Sequence, residues 1–232
     1  MGDITSVERT YGVEDSAHML AGQVLSVNVG RPRHVTWNGK AAVTAIWKMP
    51  VTDRRNVSLT NIDGDRQADL RVHGGLDKAV YVYSAADLAW WEEALGRPLK
   101  PGTFGENLTV TTSGDLGGSL IGDRWRIGSA EFEVTQPRLP CYKLGIRMGD
   151  AKFVRRFAKA RRFGVYLRVL RPGEIGRGDA ITVAYHPAHD VTVDMIGRAY
   201  LEDHSLATHI LMAPSLPLDW RTWALKQWAI HG

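Results

Sequence analysis

Two prolines and two cations crowd the single cysteine of this 232-residue chain, in the stretch Thr135-Gln136-Pro137-Arg138-Leu139-Pro140-Cys141-Tyr142-Lys143-Leu144. A lone cysteine ordinarily fills a small gap in a core. Here Pro137 and Pro140 fix their own φ and restrict Gln136 and Leu139, so the thiol sits in a stiff loop. Arg138 and Lys143 bring positive charge close to it, and nearby cations favour the thiolate, the form that attacks electrophiles and ligates soft metals. The residues alone leave two readings open: an inert filler, and a rigid electropositive seat for one reactive sulfur.

Two further segments carry chemistry. In Arg71–Ser84, RVHGGLDKAVYVYS, the consecutive glycines Gly74 and Gly75 allow positive φ and close approach of the backbone to a ligand. Successive amides in such a turn can form an anion-binding nest, and Lys78 supplies a point charge for a phosphate. His73 is a ligand contact or a satisfied structural imidazole. In Pro101–Val110, PGTFGENLTV, Gly102 and Gly105 flank Phe104, and Glu106-Asn107 precede apolar residues. The amide of Asn107 offers donors and an acceptor suited to the edge of a heterocycle; a capped turn entering a strand is the plainer reading.

Competing arrangements are missing. The chain has no GxxxxGK[ST] loop, no GxGxxG after a strand, no HExxH and no GxSxG elbow. His204 and His209 lack a third partner, Asp123 reads as a turn former, and Asp63-Gly64-Asp65 lacks the remaining ligands of a calcium loop.

These residues must be positioned by a soluble-type chain. It is 44% hydrophobic and 23% charged, enough to bury a core, and no run approaches the length of a membrane span. One cysteine excludes an intrachain disulfide framework and a clustered-thiolate zinc site, which suits a reducing, cytoplasmic setting. The net charge of +4 is concentrated between Lys152 and Arg177, a solvated face or a docking patch for an acidic partner. No helix-turn-helix, zinc-finger or RNP-type signature accompanies it, so composition points away from nucleic acid.

From Gly22 to about Tyr185, alternation and turn residues predict short strands at 23–28, 41–47, 67–72, 79–83, 107–111, 124–127, 130–135, 165–170 and 180–184. Two helices interrupt them: Ser84–Leu95, capped by Ser84 and stopped by Gly96 and Pro98, and one starting at Gly149-Asp150 and running through Phe153, Val154, Phe157 and Ala158. After the joint HPAHDVTV the period becomes helical. Val193, Ile196, Ala199 and Tyr200 share a face, then Leu206, His209 and Ile210, then Trp220, Trp223, Ala224 and Trp228. The expectation is a mainly β, barrel-like domain over 22–186 with peripheral helices, a three-helix appendage over 187–232, and a flexible segment over 1–21.

VHGGLDKAVYVYS, FGENLTV with GDRWRIGSAEFEVTQPRLPCYKL, and GVYLRVLRPG occur in one order, and together they resemble the MOSC-domain proteins, named for the C-terminal domain of molybdenum cofactor sulfurases. The stand-alone bacterial type that reduces hydroxylaminopurines, with three C-terminal helices, is the most similar subfamily. The resemblance implies a β-barrel-like fold that holds the molybdenum cofactor, molybdopterin with Mo, and it makes Cys141 the metal-ligating or persulfide-bearing cysteine. His73, Gly74, Gly75 and Lys78 match the family's glycine turn, Phe104, Gly105, Glu106 and Asn107 its second motif, and Arg138 and Lys143 its cations beside the thiol. It further implies removal of oxygen from a small N-hydroxylated substrate. The chain has no flavin, haem or iron–sulfur motif, so electrons come from an external donor such as an acidic flavodoxin or ferredoxin, with the basic stretch Arg155–Arg162 as docking face. A sulfur carrier with a persulfide on Cys141, and a non-catalytic cofactor-binding module, are the alternatives.

Overall fold

A computed structural model describes residues 21–68 and 74–231. Expectations for 1–20, for His73 and for most of a strand at 67–72 lie outside the described residues. The remaining strands are β1 (Gly22–Val29), β2 (Arg33–Trp37), β3 (Lys40–Thr44), β4 (Met49–Val51), β5 (Arg55–Val57), β6 (Val80–Ser84), β7 (Leu108–Thr112), β8 (Arg124–Ile127), β9 (Ala130–Pro137), β10 (Val165–Arg171), β11 (Gly173–Ile175) and β12 (Ala180–Tyr185). Seven of them follow the order β12-β8-β9-β10-β6-β7-β1, and β1 pairs back onto β12 to close a barrel, with β4 added along β1. Closure leaves the seven strands without a free edge among themselves, which is how a barrel avoids templating aggregation.

Alternation fills the barrel. Trp125 and Ile127, Phe132 and Val134, and Val165, Leu167 and Val169 point inward at every second position and are buried in one continuous cluster. β6 departs from the pattern, since all five of its residues are buried. Val80 and Val82 face the barrel, whereas Tyr81 and Tyr83 face a second cluster under the helices. A strand covered on both sides reads as a continuous apolar run, and VYVYS is one. β6 pairs parallel with β7, which requires a crossover. Helix α1 (Ala85–Leu95) supplies it. Ser84 caps it by accepting from the N–H of Ala86, and Gly96 ends it at φ 63°.

Two short helices follow the thiol loop. The segment expected to be a loop forms α2 (Tyr142–Met148), with Cys141 as its N-cap residue. Gly149 at φ 70° closes α2, so it ends one helix, and the next, α3 (Phe153–Ala160), begins four residues later. Phe153 and Phe157 on α3, Trp91 on α1, Phe104 and Tyr83 form an aromatic cluster, with Trp91 and Phe157 stacked at 5.6 Å.

The C-terminal part comprises α4 (Val193–Leu201), α5 (Ala207–Ile210) and α6 (Leu218–His231). Val193, Ile196, Ala199, Ala207, Ile210, Trp220 and Ala224 join the same hydrophobic cluster as the barrel interior. Of the four residues expected on one face of α6, Trp220 and Ala224 are buried and Trp228 is exposed. Among the described residues no helix is long and apolar enough to cross a membrane.

Candidate functional site

β9 ends at Pro137, a residue that cannot extend a ladder through its own nitrogen, and the chain turns through Arg138, Leu139 and Pro140 into α2. Cys141 holds an extended backbone (φ −123°, ψ 173°), and its sulfur makes no cap to the helix. The thiol is partly exposed and lines a cleft of about 70 Å³ with Thr44, Ile46, Lys48, Arg66, Lys78, Tyr81, Asn107, Arg138, Lys143 and Tyr166. This cleft shares Arg66 and Gln67 with an adjoining cavity of about 520 Å³ that reaches Gly75. Cys141 therefore borders a cleft that leads toward the glycine turn.

Charge around the cleft is one-sided. Arg138 and Lys143 are both nearly buried, and Lys48, Lys78 and Arg66 add further cations. The guanidinium of Arg138 lies 5.4 Å from the centroid of Tyr81, and its Nη1 has no hydrogen-bond partner among the described residues. A buried, unsatisfied cationic donor is costly unless something anionic completes it. Burial pushes the phenols of Tyr81 and Tyr166 upward, so they remain neutral beside it.

Behind the cleft runs a continuous polar network. Lys48 Nζ donates to Asp65 Oδ2, which also accepts from Asn107 Nδ2 at 3.0 Å, while Asp65 Oδ1 accepts from the N–H of Gly30 at 2.8 Å. Burial lowers the pKa of Lys48, and the attraction of Asp65 opposes that shift. The amide of Asn107 accepts from the N–H of Tyr81 at 3.1 Å and donates to the carbonyl of Asn28 as well. Its donors and acceptor are thus spent on the fold, and what it positions is Asp65 and, through it, Lys48. Glu106 lies deeper, fully buried, and accepts from the N–H groups of Gly102 and Phe104 and from Thr109 Oγ1.

The glycines of the second motif make room for the strap Ile46–Lys48. A Cβ on Gly102 would meet the Lys48 carbonyl oxygen at 2.5 Å, and one on Gly105 would meet Ile46 at 3.0 Å; both glycines have positive φ. Gly75 adopts φ 92° and ψ 176°, a region open essentially to glycine alone, and turns the chain into the 3-10 turn Leu76–Lys78 that delivers Lys78 to the cleft. That turn is fastened to the cysteine strand, since the Asp77 carbonyl accepts from Thr135 Oγ1 at 2.7 Å and from Gln136 Nε2 at 3.4 Å.

Of the residues singled out in the sequence, Cys141, Arg138, Lys143, Lys78, Gly105 and Asn107 converge on the cleft, and Gly75 lines the adjoining cavity. Phe104 and Glu106 lie beneath it, one in the aromatic cluster and the other in the buried network, and Gly74 is not a lining residue. Lys48, Asp65, Arg66, Tyr81 and Tyr166 were not anticipated. Asp65 sits in an Asp-Gly-Asp pattern that reads as a turn, and Lys48 in a stretch without a motif. The basic stretch also divides in two. Arg162 pairs with Asp87, and Arg161 pairs with Asp194 and Glu202, whereas Lys152, Arg155, Arg156 and Lys159 are exposed with no ion pair among the described residues.

The MOSC domain model matches residues 69–182. The chain is 36% identical over 209 residues to YflK of Bacillus subtilis, covering 88% of this chain and 93% of that protein. It is 32% identical over 172 residues to a protein of Gibberella moniliformis named "Reductase", covering 72% of this chain and 30% of that protein. The crystal structure of YiiM from Geobacillus stearothermophilus superposes with a TM-score of 0.74 at 28% identity, covering 89% of this chain and 98% of that one.

Proposed function

The chain belongs to the MOSC-domain family, and on that premise we propose that it is a molybdenum-cofactor-dependent reductase of N-hydroxylated compounds, supplied with electrons by an external partner. The observation that carries this reading is the half-exposed thiol of Cys141 opening onto a cleft walled by five cations, one of them a buried guanidinium with an unsatisfied donor. The donor set suits the cofactor. A thiolate is a ligand for a soft transition metal, and surplus cations match an anionic dithiolene and a phosphate tail. Cys141 would hold the metal, and Arg138, Lys143 and Lys78 would meet the anionic parts. When bound, the group supplies two-electron oxygen-atom chemistry, and the balanced reaction converts an R–NH–OH and two electrons with two protons into R–NH₂ and water.

The protein's own contributions are orientation and protons. Lys48 lines the cleft and its Nζ is held by Asp65, so it would be the proton source fixed beside the bound substrate. Tyr81 and Tyr166 wall the cleft with neutral phenols, and the hydroxyl of Tyr81 is fixed by donating to the Phe163 carbonyl at 2.8 Å. The exposed cations Arg155, Arg156 and Lys159 lie on α3 and Lys152 just before it, and α3 packs against α2, the helix that follows Cys141. They form the face for an acidic electron donor of the flavodoxin or ferredoxin type. The fungal relative's name, "Reductase", agrees with this reading.

The test is metal analysis of protein made in a host that produces the cofactor, beside a Cys141→Ser variant. About one Mo per chain in the native protein and a loss of most of it in the variant is the expected result. Equal, negligible Mo in both ends the proposal, and a mass increase of one sulfur on Cys141 would redirect it to sulfur transfer.

A further inference from the structure

Helix α6 is apolar on two opposite sides. Its inner side carries Trp220 and Ala224, both buried in the cluster shared with the barrel. At about 100° per residue, Leu218, Thr222, Leu225 and Ala229 fall together on the side diametrically opposite, and all four are exposed. Leu218 is 75% exposed, Leu225 49% and the neighbouring Trp228 56%, so one helix leaves three large apolar side chains open to water. Single surface leucines need no explanation, but a contiguous apolar stripe marks an interaction site. The stripe is spaced 4-3-4, the repeat of a coiled-coil seam, on a helix of 14 residues, two heptads long.

The residues beside the stripe say what covers it. Asp219 and Lys226 flank it on one side, and Arg221 and Trp228 flank it on the other. Asp219 and Lys226 are exposed, and neither has an ion pair among the described residues. A second α6 laid antiparallel on the first sets Leu218 opposite Ala229 of the other copy, and Thr222 opposite its Leu225. Asp219 of each helix then meets Lys226 of the other, twice over by the two-fold symmetry, and the guanidinium of Arg221 meets the indole of Trp228. Arg221 is held in place beforehand, since its Nη2 donates to the carbonyls of Ala213 and Pro214 at 2.6 and 3.0 Å. A parallel pair instead sets Arg221 against Lys226, like charges in contact. The surface complements itself in one orientation and repels itself in the other. We infer that the outer face of α6 is a homodimer interface, in which two copies of this chain pair these helices antiparallel. The interface is separate from the metal chemistry, because no residue of the stripe lines the cleft beside Cys141.

Analytical ultracentrifugation of the full chain across roughly 1 to 200 μM reads the equilibrium, and two heptads of seam predict a weak dimer with a Kd on the order of 10 μM. Leu225→Asp places a charge in the middle of the seam and should weaken the dimer at least about tenfold, with the thermal midpoint of dilute protein unchanged because the position is exposed in the single chain. Asp219→Lys and Lys226→Asp each set like charges across the pair and should also weaken self-association. Mixed in equal amounts, these two variants should regain the native affinity, since every lysine again meets an aspartate. A native chain that stays monomeric through the whole range overturns the inference, and the face then belongs to another occupant. A dimer that survives Leu225→Asp overturns it too, because a different surface then joins the copies. So does a mixture that associates no more tightly than either charge variant alone, because the helices are then not paired antiparallel. None of these outcomes alters the Cys141-dependent Mo content, so the two readings fail separately.

Discussion

The carboxylate of Glu106 is surrounded by donors: two backbone N–H groups and a threonine hydroxyl. Burial nevertheless raises its pKa above the ordinary carboxylate value, outweighing those hydrogen bonds. A carboxyl group raised in the folded state binds its proton more readily there than in the unfolded chain. Its contribution to stability is therefore fully present below the unfolded value of about 4.3 and is lost as pH rises through the folded value. Glu106→Gln should flatten that part of the stability–pH curve. It should also cost about 1–3 kcal/mol at neutral pH, because the amide turns an N–H toward a donor. Urea unfolding of both proteins between pH 4 and 7 checks both effects. Legibility at this scale followed locality. Cys141, Arg138 and Lys143 stand within one decapeptide, so their chemistry could be read from neighbours. Lys48 and Asp65 owe their role to a contact across 17 residues of sequence, and nothing beside either residue signals it. Asn107 was legible as important, but its amide turns out to serve Asp65 and the backbone.

At the scale of elements, the cations on and just after α3 fall into two sets. Arg162, just after it, donates to the buried Asp87 and lies over Trp90 at 4.6 Å, so it anchors α1 to the entry of β10. Arg155 and Lys159 are exposed without ion pairs among the described residues. Reversing the second set, as in Arg155→Glu with Lys159→Glu, should slow electron delivery from an acidic donor roughly tenfold at low salt and less at high salt, with stability within about 0.5 kcal/mol of the native value. Arg162→Ala should do the opposite, lowering stability by about 3 kcal/mol through an unpaired buried Asp87. Stopped-flow reduction across a salt series, together with thermal unfolding, separates the two. The helix α3 and its apolar spacing were readable from the period of Phe153 and Phe157. The helix α2 was not, because two prolines precede it and seven residues are too few for an amphipathic period to stand out. The strands β7 to β10 and β12 announced themselves by alternation and β6 by a continuous apolar run, whereas β4, β5 and β11, three residues each, carry too little pattern to detect.

Over the whole molecule, the barrel and the C-terminal helices share one apolar interior. Among their polar connections is a buried side-chain contact in which Trp220 Nε1 donates to Gln136 Oε1 at 2.6 Å. Through its Nε2 the same glutamine side chain donates to the carbonyl of Asp77, in the turn that delivers Lys78. Trp220→Phe should lower stability by about 1–3 kcal/mol by leaving a buried acceptor unmet, and it should reduce Mo retention as the turn loosens. Unfolding midpoints and metal content of one preparation measure both. Barrel closure was foreshadowed by many short strands in succession, but the pairing of β1 with β12 joins Gly22 to Ile181 and Gln23 to Ala180, far apart in the chain, and no local pattern encodes it. Gln136 also sets a condition on anyone exchanging parts between relatives. Its two ends face different neighbours, so a chimera that imports foreign C-terminal helices should keep the proposed metal seat only if the incoming indole, or an equivalent donor, still meets the host's amide.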